Sequence, residues 1–207
     1  LTRVSDALAQ SHDDIDAVLD AAARELTTAI GDACIITLMD QSRGMLIPRA
    51  FRHREPRGYE ALAAALAEPL LVGQGTAGKV AQSGQQLVLN DVPPESWSTA
   101  AAGHQRYVND FGIAHLLVTP LFEGTTVVGT VGLLRHGGAP QYNEREVSLA
   151  TEVSARVSAA LERAQLHHRL SESEKRYRLI TDSVGDMVFR VDDGCFEWAS
   201  PSVSAVF

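Results

Sequence analysis

The stretch Gly73-Gln-Gly-Thr-Ala-Gly-Lys-Val-Ala-Gln-Ser-Gly-Gln-Gln-Leu-Val-Leu-Asn-Asp91 decides how this chain is read. Its first six residues spell G-x-G-x-x-G, the pattern of a dinucleotide-binding turn. Read through Val80, the same residues come within one position of the phosphate-binding pattern G-x-x-x-x-G-K-[ST]. Asp91 ends the next apolar run about where a ribose-binding carboxylate would stand. All three cues fail. A Rossmann unit needs about thirty residues, because its helix must carry the chain back to a parallel neighbour. Here only Ala77 to Ser83 separate the turn from the next breaker, Gly84. That is about two helical turns at roughly 1.5 Å per residue. The residue after Lys79 is Val80, which has no hydroxyl for a magnesium ion. The turn is therefore expected to be structural and to bind no nucleotide.

Working outward, the glycine turn, a short helix, Ser83-Gly84 and a strand ending Asn90-Asp91-Val92 together resemble the central motif of GAF domains. A second block is Leu116-Leu-Val-Thr-Pro-Leu121, then Glu123-Gly124, then Val127-Val-Gly-Thr-Val-Gly-Leu-Leu134. It is similar to that family's hairpin of apolar-Pro-Leu, turn and apolar-Gly-apolar segments. The blocks stand in the family's order and spacing, and the resemblance covers about Leu1 to Leu166. It implies an α+β fold, with an antiparallel sheet of about six strands between helices, a roofed pocket and a long C-terminal helix. It also implies a module that senses and transmits rather than an enzyme. The parent expected is a multidomain bacterial-type signalling protein: a histidine kinase, a diguanylate cyclase or a phosphatase.

The chain has 207 residues, 45% of them hydrophobic, enough for one full domain and part of a second, or for two small ones. A net charge of −8 argues against a nucleic-acid surface, which shows clustered Lys and Arg. No apolar run approaches the roughly eighteen residues of a membrane span, and no signal peptide opens the chain. Cys34 and Cys195 lie far apart in different apolar runs, so a reduced, cytoplasmic setting is the simpler expectation. The chain opens on Leu rather than Met, as expected of a piece of something longer.

Val4 to Ile30 has the apolar steps of one or two amphipathic helices, with Ser11 and Asp14 as a capping box and Gly31 as the stop. Ala33–Met39 and Met45–Phe51 flank the turn cluster Asp40–Gly44 and read as a hairpin. Tyr59 to Ala67 is alanine-rich and reads as helix. Gly129 and Gly132 lie on opposite faces of one strand, where they can let the sheet curve over a pocket. Asn143 with Glu144 and Glu146 opens a last helix, on which Leu149, Val153 and Val157 form a core-facing stripe. From Leu166 the period changes. Leu166, Leu170, Ser173, Tyr177, Ile180 and Val184 make a heptad seam with one polar interruption, which implies a homodimer through this helix. Ser171-Glu-Ser-Glu174 can instead start a second helix there. Glu174 to Val184 resembles the entry helix of a PAS domain, and Met187 to Ser202 its first two strands and the turn after them. The expected division is a sensory domain over residues 1–165, a signalling helix over 166–184 and the start of a PAS domain over 185–207.

Chemistry in the sequence is sparse. No nucleophile-elbow pattern surrounds Ser83 or Ser96, and the seven histidines include no H-E-x-x-H and no paired spacing with Cys. His167 and His168 are adjacent on a helix and cannot share a metal face, so no metal site is expected. Residues 95–115 gather Trp97, His104, Tyr107, Phe111 and His115 in the segment that roofs the pocket in the resembling family. Those five residues are the candidate contacts for an unidentified small molecule; alternatively, the aromatics simply cap the core. Cyclic-nucleotide-binding members carry an Asn-Lys…Phe…Asp-Glu pattern. This chain has Asn109-Asp110-Phe111 without the lysine or the acidic pair. Bilin-binding members set a cysteine beside a histidine, and Cys34 has none. Haem-binding members place an axial histidine in the roof, where His104 stands, with His115 as the alternate. The rival of another class is a GAF scaffold with a filled pocket that only dimerises.

Overall fold

The computed structural model describes residues 15–97, 102–183, 189–192 and 195–199. The chain divides into two compact units, Leu1–Glu162 and Arg163–Phe207.

The first unit is built on a six-stranded antiparallel sheet. Helix α1 (Ile15–Ala29) precedes the hairpin of β1 (Ala33–Asp40) and β2 (Met45–His53). Helix α2 (Pro56–Ala65), the two-residue β3 (Leu70–Leu71), helix α3 (Gly75–Ser83) and β4 (Leu87–Leu89) follow. A 3-10 turn (Pro94–Trp97) and helix α4 (Ala102–Phe111) lead into the long hairpin of β5 (Ile113–Glu123) and β6 (Thr126–His136). Helix α5 (Glu144–Ser183) is one continuous element of 40 residues. The alternative of a second helix starting near Ser171 is thus not what forms. The expectations for residues 1–14, including the Ser11 capping box, lie outside the described residues.

Strand order is β3-β2-β1-β6-β5-β4. The shortest strands, β3 and β4, hold the two edges, which leaves little unpaired backbone for edge-to-edge association. Because side chains alternate along a strand, each strand feeds two cores. Cys34 and Ile36 face one side with Leu117, Leu121, Val131 and Leu133, packed against Leu19, Leu26, Val153, Val157 and Leu161 of α1 and α5. Ala33 and Ile35 face the other with Leu116 and Leu134, under Leu62 and Ala65 of α2 and Tyr107 and Val108 of α4. The expected Leu149–Val153–Val157 stripe thus faces the first core, with Leu149 only partly buried.

The glycine turn has a backbone explanation. Gly73 and Gly75 hold φ of +86° and +59°, a region that favours glycine. A Cβ on Gly78 would stand 2.5 Å from the Leu71 carbonyl. The Gly73 N–H donates to the Gly78 carbonyl at 2.8 Å, closing the turn on itself. Val80 is 2% exposed, so the residue in the hydroxyl position of a phosphate loop serves the core. The two strand glycines divide their roles. A Cβ on Gly129 would meet the Thr37 carbonyl at 2.2 Å, whereas one on Gly132 would find nothing nearer than 3.8 Å. Only Gly129 is required by a close approach.

In the second unit, β7 (Phe189–Asp192) and β8 (Cys195–Ala199) pair antiparallel, where two strands are expected from the sequence.

Candidate functional site

Helix α4 roofs the second core because its inner face repeats at three- and four-residue steps: His104, Tyr107, Val108 and Phe111. Gly103 lets it approach α2 closely, since a Cβ there would stand 3.2 Å from the Ala64 carbonyl and the Ala65 Cα. Tyr107 is 2% exposed and belongs to the buried cluster, while Trp97 and Phe111 are half-buried against it. Of the five candidate contacts, Trp97, Tyr107 and Phe111 therefore meet on one apolar cluster, and His104 shares the α4 face that covers it.

At the C-terminal end of α4 stands a group that the sequence does not announce. His53 ends β2 and His136 ends β6, and their rings stack with centroids 5.0 Å apart. Phe111 lies 5.0 Å from His53 and 5.3 Å from His136. The Tyr107 hydroxyl is 3.0 Å from His136 Nε2. The Glu55 N–H donates to His53 Nδ1 at 2.9 Å, which leaves Nε2 of the neutral ring to carry the proton. Asp32 accepts from the His136 N–H at 3.0 Å, lies 3.8 Å from His136 Nδ1 and pairs with Arg54 at 3.1 Å. Gly58 makes room for the His53 ring, because a Cβ there would overlap the ring at 2.0 Å. Arg57 sits 5.4 Å over the Phe111 ring.

Burial works against the imidazolium form of His53, and the neighbouring His136 adds to it, so its value is held below the ordinary one. For His136, burial outweighs the opposing pull of Asp32 and Glu55 and lowers it too. His104 is lowered by burial as well, against a smaller pull from Glu68. Burial pushes the Tyr107 phenol well up, so it stays protonated and available to donate. Three nitrogens on this side of the sheet are buried without a hydrogen-bond partner: His53 Nε2, His104 Nδ1 and Trp97 Nε1. Leaving such a group unpaired costs about 1–3 kcal/mol.

His115 is placed differently. It is 3% exposed, its Nδ1 accepts from the Asp91 N–H at 3.1 Å, and its Nε2 lies 3.0 Å from the Ala139 carbonyl. Both ring nitrogens are engaged with backbone, so it offers no free nitrogen to a ligand. His104, with Nδ1 unpartnered, is the histidine of the pair that retains one. Cys34 is fully buried, and burial pushes its thiol far up, so it behaves as a small hydrophobe. Among the described residues no cluster of three or more His, Cys, Asp or Glu is placed to hold a metal ion. No helix among them is long and apolar enough to cross a membrane.

The GAF domain family profile matches residues 12–162. The chain therefore belongs to the GAF domain family, whose members serve as regulatory and sensory modules in signalling proteins. The GAF domain of a phosphoenolpyruvate-protein phosphotransferase from Coxiella burnetii aligns over 81% of this chain and 94% of its own, at 16% identity and a TM-score of 0.65. The second GAF domain of DevS from Mycobacterium smegmatis aligns over 76% and 99%, at 17% identity and a TM-score of 0.58. Free methionine-R-sulfoxide reductase from Neisseria meningitidis, solved with its substrate, aligns over 80% and 88%, at 18% identity and a TM-score of 0.61. At these identities the likeness is one of fold. The reductase shows that this fold also occurs in an enzyme. No curated protein sequence gives a significant match.

Proposed function

We propose that this chain is the ligand-sensing and dimerising module of a larger signalling protein, with the ligand seated on the sheet face beneath α4. The observation that carries the reading is the set of unpartnered buried nitrogens there, on His53, His104 and Trp97, around the Tyr107–Phe111 ring cluster. A small molecule with hydrogen-bond acceptors and an apolar body would satisfy groups that the fold alone leaves unpaired. Regulation is favoured over catalysis by membership of a family of regulatory modules, and the fully buried Cys34 offers no accessible thiol. Outputs such as a histidine kinase, a diguanylate cyclase or a phosphatase fit this role. Residues 185–207 fit the start of a PAS domain, with β7 and β8 as its first two strands.

The dimer runs through α5. Leu166 and Leu170 are 58% and 60% exposed and, four residues apart, lie on one face of the helix. The other seam positions, the side chains of Tyr177 and Ile180 and the whole of Val184, lie outside the described residues. A scaffold reading has one observation in its favour, the complete burial of Tyr107. Native mass spectrometry of freshly purified protein, with an absorbance scan, separates the two. A bound mass beyond the polypeptide supports sensing. A Soret band lost in His104→Ala would identify haem as the ligand. Protein that carries no added mass, and takes up none from a metabolite mixture, supports the scaffold.

A further inference from the structure

The chain leaves the sheet after β4 at Asn90 and Asp91, builds the Pro94–Trp97 turn and α4, and rejoins the sheet at β5. The two ends of this excursion are tied together. The Val92 N–H donates to the Ala114 carbonyl at 2.8 Å, and the Asp91 N–H donates to His115 Nδ1 at 3.1 Å. Asp91 holds φ of +55° to make that corner, a conformation that Asp tolerates better than most residues.

Asn90, Asp91 and His115 also grip a distant segment. His115 Nε2–H donates to the Ala139 carbonyl at 3.0 Å. The Gln141 side-chain amide donates to the Asp91 carboxylate. The Tyr142 N–H donates to Asn90 Oδ1 at 3.1 Å. Residues 139–142 lie in the connection from β6 to α5, and the helix begins two residues later at Glu144. There Asn143 and Glu146 cap each other, Asn143 N–H to Glu146 Oε2 at 3.0 Å and Glu146 N–H to Asn143 Oδ1 at 3.1 Å. With one nitrogen of His115 on Asp91 at the base of the roof and the other on Ala139 before the helix, independent movement of the two breaks a part-buried bond.

We propose that Asn90, Asp91 and His115 form a latch that reports the position of the roof to the start of α5. The proposal rests on the sensory reading for its biological use, because the latch gives a ligand under α4 a route to the long helix. Its physical content does not need the ligand. The coupling is between the helix entry, which bonds to all three residues, and the roof, whose chain leaves the sheet at Asp91 and returns to it just before His115, and it runs in both directions.

Hydrogen exchange followed by mass spectrometry on the full chain tests it. Gly103→Val forces α4 away from Ala64 and Ala65 without touching the latch. We expect faster exchange in 102–111 and also in 139–147, by about fivefold or more. Gln141→Ala, at an exposed position, perturbs from the other side and is expected to speed exchange in 102–111 as well as 139–147. In the double variant the increment in 139–147 caused by Gly103→Val should disappear. Loosening of α4 that leaves 139–147 at native rates overturns the latch. So does a Gln141→Ala effect confined to 139–143, a result available even if Gly103→Val does not fold. No ligand enters the experiment, so its failure leaves the sensory reading standing, and a chain that binds nothing leaves the latch standing.

Discussion

His53 and His136 lie ring against ring, and burial holds both below the ordinary histidine value near 6.5. In the unfolded chain they take up protons near that value, and in the folded chain only at lower pH. The unfolded state therefore binds more protons across that window, and stability falls as pH drops below about 6.5. The melting temperature is expected to be flat above pH 7 and to decline below 6.5, with a shallower decline in His53→Phe. An unchanged slope would place the titrating group elsewhere. Gly58→Ala acts on the same ring by steric overlap rather than charge. Forcing a methyl into a packed site costs about 1–3 kcal/mol, and urea unfolding should show a loss in that range. Neither histidine is legible in the sequence, because each ends its strand as an isolated residue and its partners arrive from other strands. His115 shows the reverse limit: its position after the roof is readable, but the two backbone bonds that occupy its ring are not.

Helix α5 starts from an ion pair between a buried arginine and a part-buried carboxylate. Arg135 is 7% exposed and bonds to Glu146 at 2.5 Å. It also donates to the carbonyls of Ile30 at 3.0 Å, Pro140 at 2.9 Å and Gln141 at 3.1 Å. Burial works against the Glu146 charge, but the Arg135 and Asn143 bonds outweigh it and hold the carboxyl below its usual value. Removing the arginine strands the Glu146 carboxylate, at a cost below the about 3–5 kcal/mol of a fully buried pair because that side chain stays 20% exposed. Arg135→Met should therefore lower the urea midpoint strongly, while Asn143→Ala, which removes only the cap, should cost about 1 kcal/mol. A cap variant as damaging as the arginine variant would contradict this division. The elements themselves were legible because their signals are local: a short apolar, β-branched run over Ala33–Met39, and four-residue steps from Leu149 to Val157. What was not legible is the clamp between them. A lone arginine at a strand end carries no local pattern, and its acceptors belong to three other segments.

At the scale of the whole molecule, the GAF assignment was legible because two motif blocks fix the short helix α3 and the β5–β6 hairpin, and these fix the sheet order. Of the proposed ligand face only the roof segment was legible, because His53 and His136 come from other strands that meet it only in the folded chain. The proposed dimer belongs to this scale. Leu166 and Leu170 need a partner surface to escape water, and at about 25 cal/mol per Å² of apolar area buried two leucines alone secure little. Leu170→Glu puts a charge into the seam and is expected to give a folded monomer by light scattering, with its circular dichroism unchanged. A Leu170→Glu protein that remains dimeric moves the interface off this helix.

The central claim is that the face beneath α4 is where this module meets its ligand. Amide chemical-shift mapping in the presence of a fractionated metabolite extract tests it most directly. The account predicts shifts concentrated at His53–Gly58, at His104–Phe111 and near His136, weakened in His104→Ala. Saturable shifts centred on Gly73–Lys79 instead, with the α4 face unperturbed, would contradict it.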